Sequence, residues 1–91
     1  MSLPVKPHSV VVGGATVRGY IEPMAPGEAF KAFGVAFVNP CRLYIDLPDA
    51  GRFADGVSVA FGSESFVVVG NPELFRAGDS SDHAIAYMRG A

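Results

Sequence analysis

Between Gly56 and Arg89 the chain reads GVSVAFGSESFVVVGNPELFRAGDSSDHAIAYMR, and this stretch restricts the fold more than any other. Val57, Val59 and Phe61 alternate with Ser58 and Ala60, the period-two pattern of a strand with one buried face. Gly62-Ser63-Glu64 is a short polar break suited to a turn. Phe66–Val69 is apolar throughout and stops at Gly70, Asn71 and Pro72; a polar loop follows, and His83–Arg89 makes a further strand. Strands this short and this closely spaced must pair with others to cover their edges.

The first half supplies those partners. His8–Val12 is rich in β-branched residues, and Gly13-Gly14 tolerates positive φ at both positions, a two-residue hairpin signal. Ala15–Glu22 then sets Val17 and Ile21 against Arg18, Tyr20 and Glu22. Arg42–Leu47 places Leu43, Ile45 and Leu47 on one face and Tyr44 and Asp46 on the other. Pro48–Gly56 is turn chemistry, with Phe53 expected to pin the loop to the core.

Pro23–Asn39 is irregular. Glu28–Phe33 (EAFKAF) reads either as one or two helical turns ended by Gly34, with Phe30 and Phe33 on one face, or as an apolar loop. Val35–Val38 has strand propensity that Asn39-Pro40 cuts short. The expected fold is therefore all-β: a small antiparallel barrel or sandwich of five to six strands. It forms one domain over residues 1–91, with an extended arm at 1–7 and a long loop at 23–39 between strands 2 and 3.

Apolar residues make up 49% of the chain and charged residues 18%, so apolar side chains fill either a dense core or an interface. The net charge of −2 excludes a global basic field for gripping nucleic acid. Cys41 is alone and forms no intrachain disulfide, consistent with a reducing compartment or with an assembly that needs no stapling. Pro4 and Pro7 interrupt any signal-peptide core near the start, and no apolar run is long enough to span a bilayer, so a soluble intracellular protein without membrane contact is expected.

Asp79-Ser80-Ser81-Asp82-His83 holds acid–base and metal-ligand residue types, but consecutive residues entering a strand point to opposite faces, which favours a solvated Asx-type turn. Cys41 has no histidine placed beside it by the sequence, and Ser58 lies within an alternating strand rather than at a strand-to-helix elbow. Gly13-Gly14 precedes no helix, so it does not cradle phosphate. Tyr20, Tyr44, Phe61, Phe66 and Tyr87 lie on separate strands without accompanying basic residues, the pattern of core rather than of a base-stacking platform. No catalytic, metal-binding or cofactor-binding residue, and no enzyme activity, is expected.

Three features together resemble one family. The hairpin starts near His8; Phe61, Gly62, Phe66, Val67–Val69, Gly70 and Pro72 follow a strand, glycine turn, aromatic–valine and Gly-x-Pro order; a histidine opens the last strand in HAIAYMR. This resembles the head-closure, or head-to-tail stopper, proteins of long-tailed bacteriophages. The chain departs from the family pattern in carrying Ser63-Glu64 where a basic residue usually follows the glycine, and in lacking a Trp between Glu73 and Asp82.

The resemblance implies a structural virion protein, assembled in the host cytoplasm, that joins head to tail. It implies a homo-oligomeric ring, a hexamer or dodecamer, with portal and adaptor proteins above and a tail terminator or tail tube below. DNA would pass through the ring or be retained by it through transient nonspecific contact. The long loop would project toward the channel or a neighbouring subunit, with Met24, Phe30, Phe33 and Phe37 as its contact residues. The arm, through Leu3, Pro4 and Val5, would lie across a neighbour. The alternatives are a tail-terminator-type ring subunit and a small β-barrel module that binds a ligand or peptide.

Overall fold

The computed structural model describes residues 7–34, 37–78 and 82–91. Seven strands form one antiparallel sheet: β1 (His8–Val12), β2 (Ala15–Pro23), β3 (Cys41–Ile45), β4 (Ser58–Phe61), β5 (Glu64–Val68), β6 (Glu73–Phe75) and β7 (His83–Gly90). Six of them close on themselves in the order β1-β2-β3-β7-β5-β4, because β7 pairs with β3 on one edge and with β5 on the other. Closure removes the free edges that would otherwise seek another chain.

Both tight hairpins have the predicted turn chemistry. Gly13 and Gly14 carry φ of 56° and 79° between the paired residues Val12 and Ala15, as a primed two-residue turn requires. Gly62, at φ 60°, opens the turn between Phe61 and Glu64. Alternation then sorts the walls: Val10, Val12, Val17, Cys41, Leu43, Ile45, Val59, Phe66, Val68, Ala84, Ala86 and Met88 meet inside, with no buried polar or charged residue among the described ones. Such a core draws its stability from apolar burial and packing.

Several boundaries differ from the sequence reading. The third strand ends at Ile45, and Leu47–Arg52 coils into a 3-10 helix with Pro48, which has no amide to donate to a ladder and a φ preset for a turn, in its first turn. The chain then drops Phe53, fully buried, into the core, while Leu47 and Ala50 pack against the same cluster. Val57 precedes β4 and accepts the Val68 amide through its carbonyl. The long loop holds an α-helix, α1 (Pro26–Phe33), with proline in its first turn and Gly34 in the left-handed conformation at its end. Phe37 and Val38 are not strand residues. Residues Leu3, Pro4 and Val5, with Val35, Ala36, Asp79, Ser80 and Ser81, lie outside the described residues.

A seventh strand stands where the sequence reads as loop. β6 continues past β5 along the same edge of β7, with Glu73 opposite Ile85 and Phe75 opposite His83. Gly70, at φ 72°, breaks the run, and Asp55 Oδ1 accepts its amide. The mouth of the barrel beside Ile45 is thus covered by the 3-10 helix, and α1 departs from the opposite end, beyond Pro23.

Candidate functional site: the outer face around the β2–β3 excursion

With the interior filled, the outer wall and the uncovered mouth remain available. On the outer faces of β2 and β3, Arg42 forms ion pairs with Glu22, at 2.9 Å, and with Glu28 of α1. Tyr44 Oη donates to the same Glu22 carboxylate at 3.2 Å. Burial works against the guanidinium charge, yet the Glu28 and Glu22 carboxylates more than offset it and raise its pKa. The Tyr44 phenol is also raised, by partial burial first and by Glu22 second. Arg42 therefore clips the helix to the barrel.

Phe33 supplies a second attachment. Its ring meets Phe37 and Tyr87, each edge-on at 5.5 Å between centroids. Tyr87 Oη donates to Glu73 Oε1 at 2.6 Å, tying the same patch to β6. Burial, then the Glu73 carboxylate, pushes the Tyr87 phenol up to about 12. Because the folded state favours the neutral phenol, this contribution to stability is complete below pH ~10, the ordinary tyrosine value, and fades as pH rises through 12. In a spectrophotometric titration Tyr87 should ionise near pH 12, and Glu73→Gln should bring that step down toward the ordinary range.

The four predicted loop residues do not converge. Met24 is only 6% exposed, and its amide donates to Pro40 O at 2.9 Å, so its side chain belongs to the chain's own packing. Phe33 and Phe37 are half-buried against each other. Phe30 alone projects, at 55% exposure. Val38, which the sequence reading did not single out, is 72% exposed, while its carbonyl accepts the Gly90 amide at 2.7 Å. The strand propensity of Val35–Val38 gave no signal that Val38 faces solvent.

Beside the excursion, the mouth opposite the 3-10 helix opens as a cleft of about 400 Å³, lined among others by Ile21, Met24, Phe37, Cys41, Glu64 and Phe66. Cys41 is 4% exposed, and burial together with the negative charge of Glu64 pushes its thiol up to about 11. Little thiolate exists near neutrality at such a value, so Cys41 is a poor nucleophile.

A line of rings also crosses the barrel wall. Phe61 and His8 lie 5.2 Å apart, His8 and Tyr20 5.9 Å, Tyr20 and Tyr44 6.0 Å, Tyr44 and His83 6.3 Å, and His83 and Phe75 4.6 Å with near-parallel planes. It joins six strands. Of the aromatics read from the sequence as core, only Phe66 is buried there; Tyr20, Tyr44 and Phe61 are half-buried neighbours in this line, and half-buried Tyr87 meets Phe33 instead. His8 Nδ1 accepts the Ile21 amide at 3.0 Å, closing the ladder where β1 begins. Asp82 accepts the amides of Ala77 and Gly78, forming a turn ahead of β7. Among the described residues, no three or more His, Cys, Asp or Glu side chains gather as metal ligands, and no helix is long and apolar enough to cross a membrane.

Compared with protein-family models, curated proteins and solved structures, the chain matches none.

Proposed function

We propose that this chain is a ring-forming connector subunit of a tailed-phage virion, a head-to-tail stopper that joins the portal and adaptor to the tail. The observation that carries the reading is the division of labour in the barrel. Its interior holds apolar side chains, with no buried polar or charged residue among the described ones, while the excursion between β2 and β3 presents to solvent Phe30, on a helix clipped in place by Arg42, and Val38 beyond that helix. An ordered apolar projection on a closed barrel suits contact with another subunit better than chemistry. A mildly acidic subunit also suits a lumen that DNA must traverse, since a basic wall would hold phosphates.

Labelling tests the assignment. A gold-tagged antibody against the chain should mark the single head–tail junction of assembled particles, and particles lacking the chain should be tailless heads that lose DNA. Label along the tail tube or at its far end would contradict the stopper role. One observation favours a second reading, a small-ligand module: the 400 Å³ cleft falls within the size range of small-molecule sites.

A further inference from the structure

The uncovered mouth of the barrel has a chemistry of its own. Ile21, Met24, Phe37 and Phe66 wall its cleft of about 400 Å³, and buried Cys41 lies among them. Pro23 ends β2 and Pro40 precedes β3 at this rim. Between them α1 is held on the outer wall by Arg42 and Tyr87, so it does not fill the opening. The walls suit an apolar body of modest size, near the lower end of the about 300–1,000 Å³ typical of small-molecule sites.

Hydrogen-bonding capacity at this rim is one-sided. Pro23 and Pro40 have no amide hydrogen, and the amides of Met24 and Gly90 are spent on Pro40 O and Val38 O. An anion would find few donors here. Glu64 is the only charged residue lining the cleft, and the Asn39 carboxamide adds a second acceptor.

The Glu64 carboxylate is directed to the opening. Residues 64, 66 and 68 share one face of β5, and Phe66 and Val68 on that face are buried, so alternation brings Glu64 over the mouth at the strand's exposed end. Cys41 feels it: after burial, Glu64 is what raises the thiol. The described cations at this end stand outside. Arg42 is engaged by Glu22 and Glu28 on the outer wall, where α1 carries Lys31. Arg89 alternates outward between Met88 and Gly90, and its Nη1 donates to Gly90 O at 3.3 Å.

We infer that the cleft binds a small apolar molecule carrying a protonated amine, its body against Ile21, Met24, Phe37 and Phe66 and its ammonium on the Glu64 carboxylate. The ammonium supplies the donors that the rim lacks and the charge that Glu64 lacks. The inference rests on the small-ligand reading of the cleft and is independent of the ring, so its test does not bear on Phe30.

Three probes with one carbon skeleton test it on the full chain: 4-phenylbutylamine, 4-phenyl-1-butanol and 4-phenylbutyrate, titrated near neutral pH. The methyl NMR signals of Met24 and Ile21 should shift saturably with the amine, which should bind at least about fivefold more tightly than the carboxylate, with the alcohol between them. Glu64→Gln should erase the difference between amine and alcohol. Glu64 is exposed, so its replacement leaves the core alone, and the alcohol reports that the cleft is still formed. Equal affinities for the three probes, or a preference for the amine that survives Glu64→Gln, would overturn the ligand class and leave an apolar cleft. No saturable shift at Met24 and Ile21 with any probe would overturn the small-ligand reading as well.

Discussion

Phe53→Ala should lower the unfolding free energy by about 3–5 kcal/mol, read as a shift of the urea midpoint with an unchanged slope. Phe53 is fully buried, yet it comes from the segment that crosses the mouth of the barrel rather than from a strand. Its ring fills space that Leu43, Ile45 and Met88 cannot reach, and truncation leaves a void the rigid sheet has no means to close. A domain of this size has only about 0.05–0.15 kcal/mol of stability per residue, so the loss removes a large part of the margin. Phe53→Leu, which keeps most of the volume, should cost far less. A loss below ~1 kcal/mol for the alanine variant would mean that the 47–56 segment is a detachable flap, contrary to the account of the core given above.

Gly19→Ala should rank next, at about 2–3 kcal/mol. A methyl at Gly19 would lie 2.6 Å from the Tyr44 carbonyl oxygen, 2.8 Å from Leu43 Cδ1 and 3.1 Å from Ile45 Cγ2. Gly19 pairs directly with Ile45, so the carbonyl cannot swing away without opening the β2–β3 ladder. Gly51→Ala is the matched control: nothing lies within 4 Å of a methyl there, and the backbone is not left-handed. Its urea midpoint should stay close to wild type. Equal midpoints for both variants would show that β2 and β3 approach less closely than described.

Local signals made most of the barrel legible. The Gly13-Gly14 turn, the alternation in Leu43 and Ile45, and the valines of β4 and β5 each fix a strand and a face without help from distant residues. Phe53 was legible too, as a large apolar side chain in an otherwise polar turn. β6 was not, because three residues between Pro72 and Arg76 carry no readable alternation; they are a strand only because β7 offers them an edge. Gly19 looked ordinary for the same reason, since its need for a bare backbone arises from β3, across the ladder.

The candidate site was less legible than the fold. Arg42 holds Glu22 and Glu28, 20 and 14 residues away, and no spacing rule links such partners. Helical periodicity set Phe30 beside Phe33, but Tyr87 decides which of them is covered, and Tyr87 lies on the last strand. The result is a narrower contact set than the sequence implied: Phe30 and Val38 outward, Met24 inward, and Phe33 and Phe37 holding the excursion in place.

The claim that the outer projection exists to bind another copy is tested most directly by the mass of the purified chain in solution. Sedimentation across a wide concentration range should give a ring-sized species for the wild-type chain. Phe30→Ser, with an unchanged urea midpoint because the ring is solvent-exposed, should sediment as a monomer. A wild-type chain that stays monomeric throughout, or a Phe30→Ser variant that still forms the ring, would contradict the account.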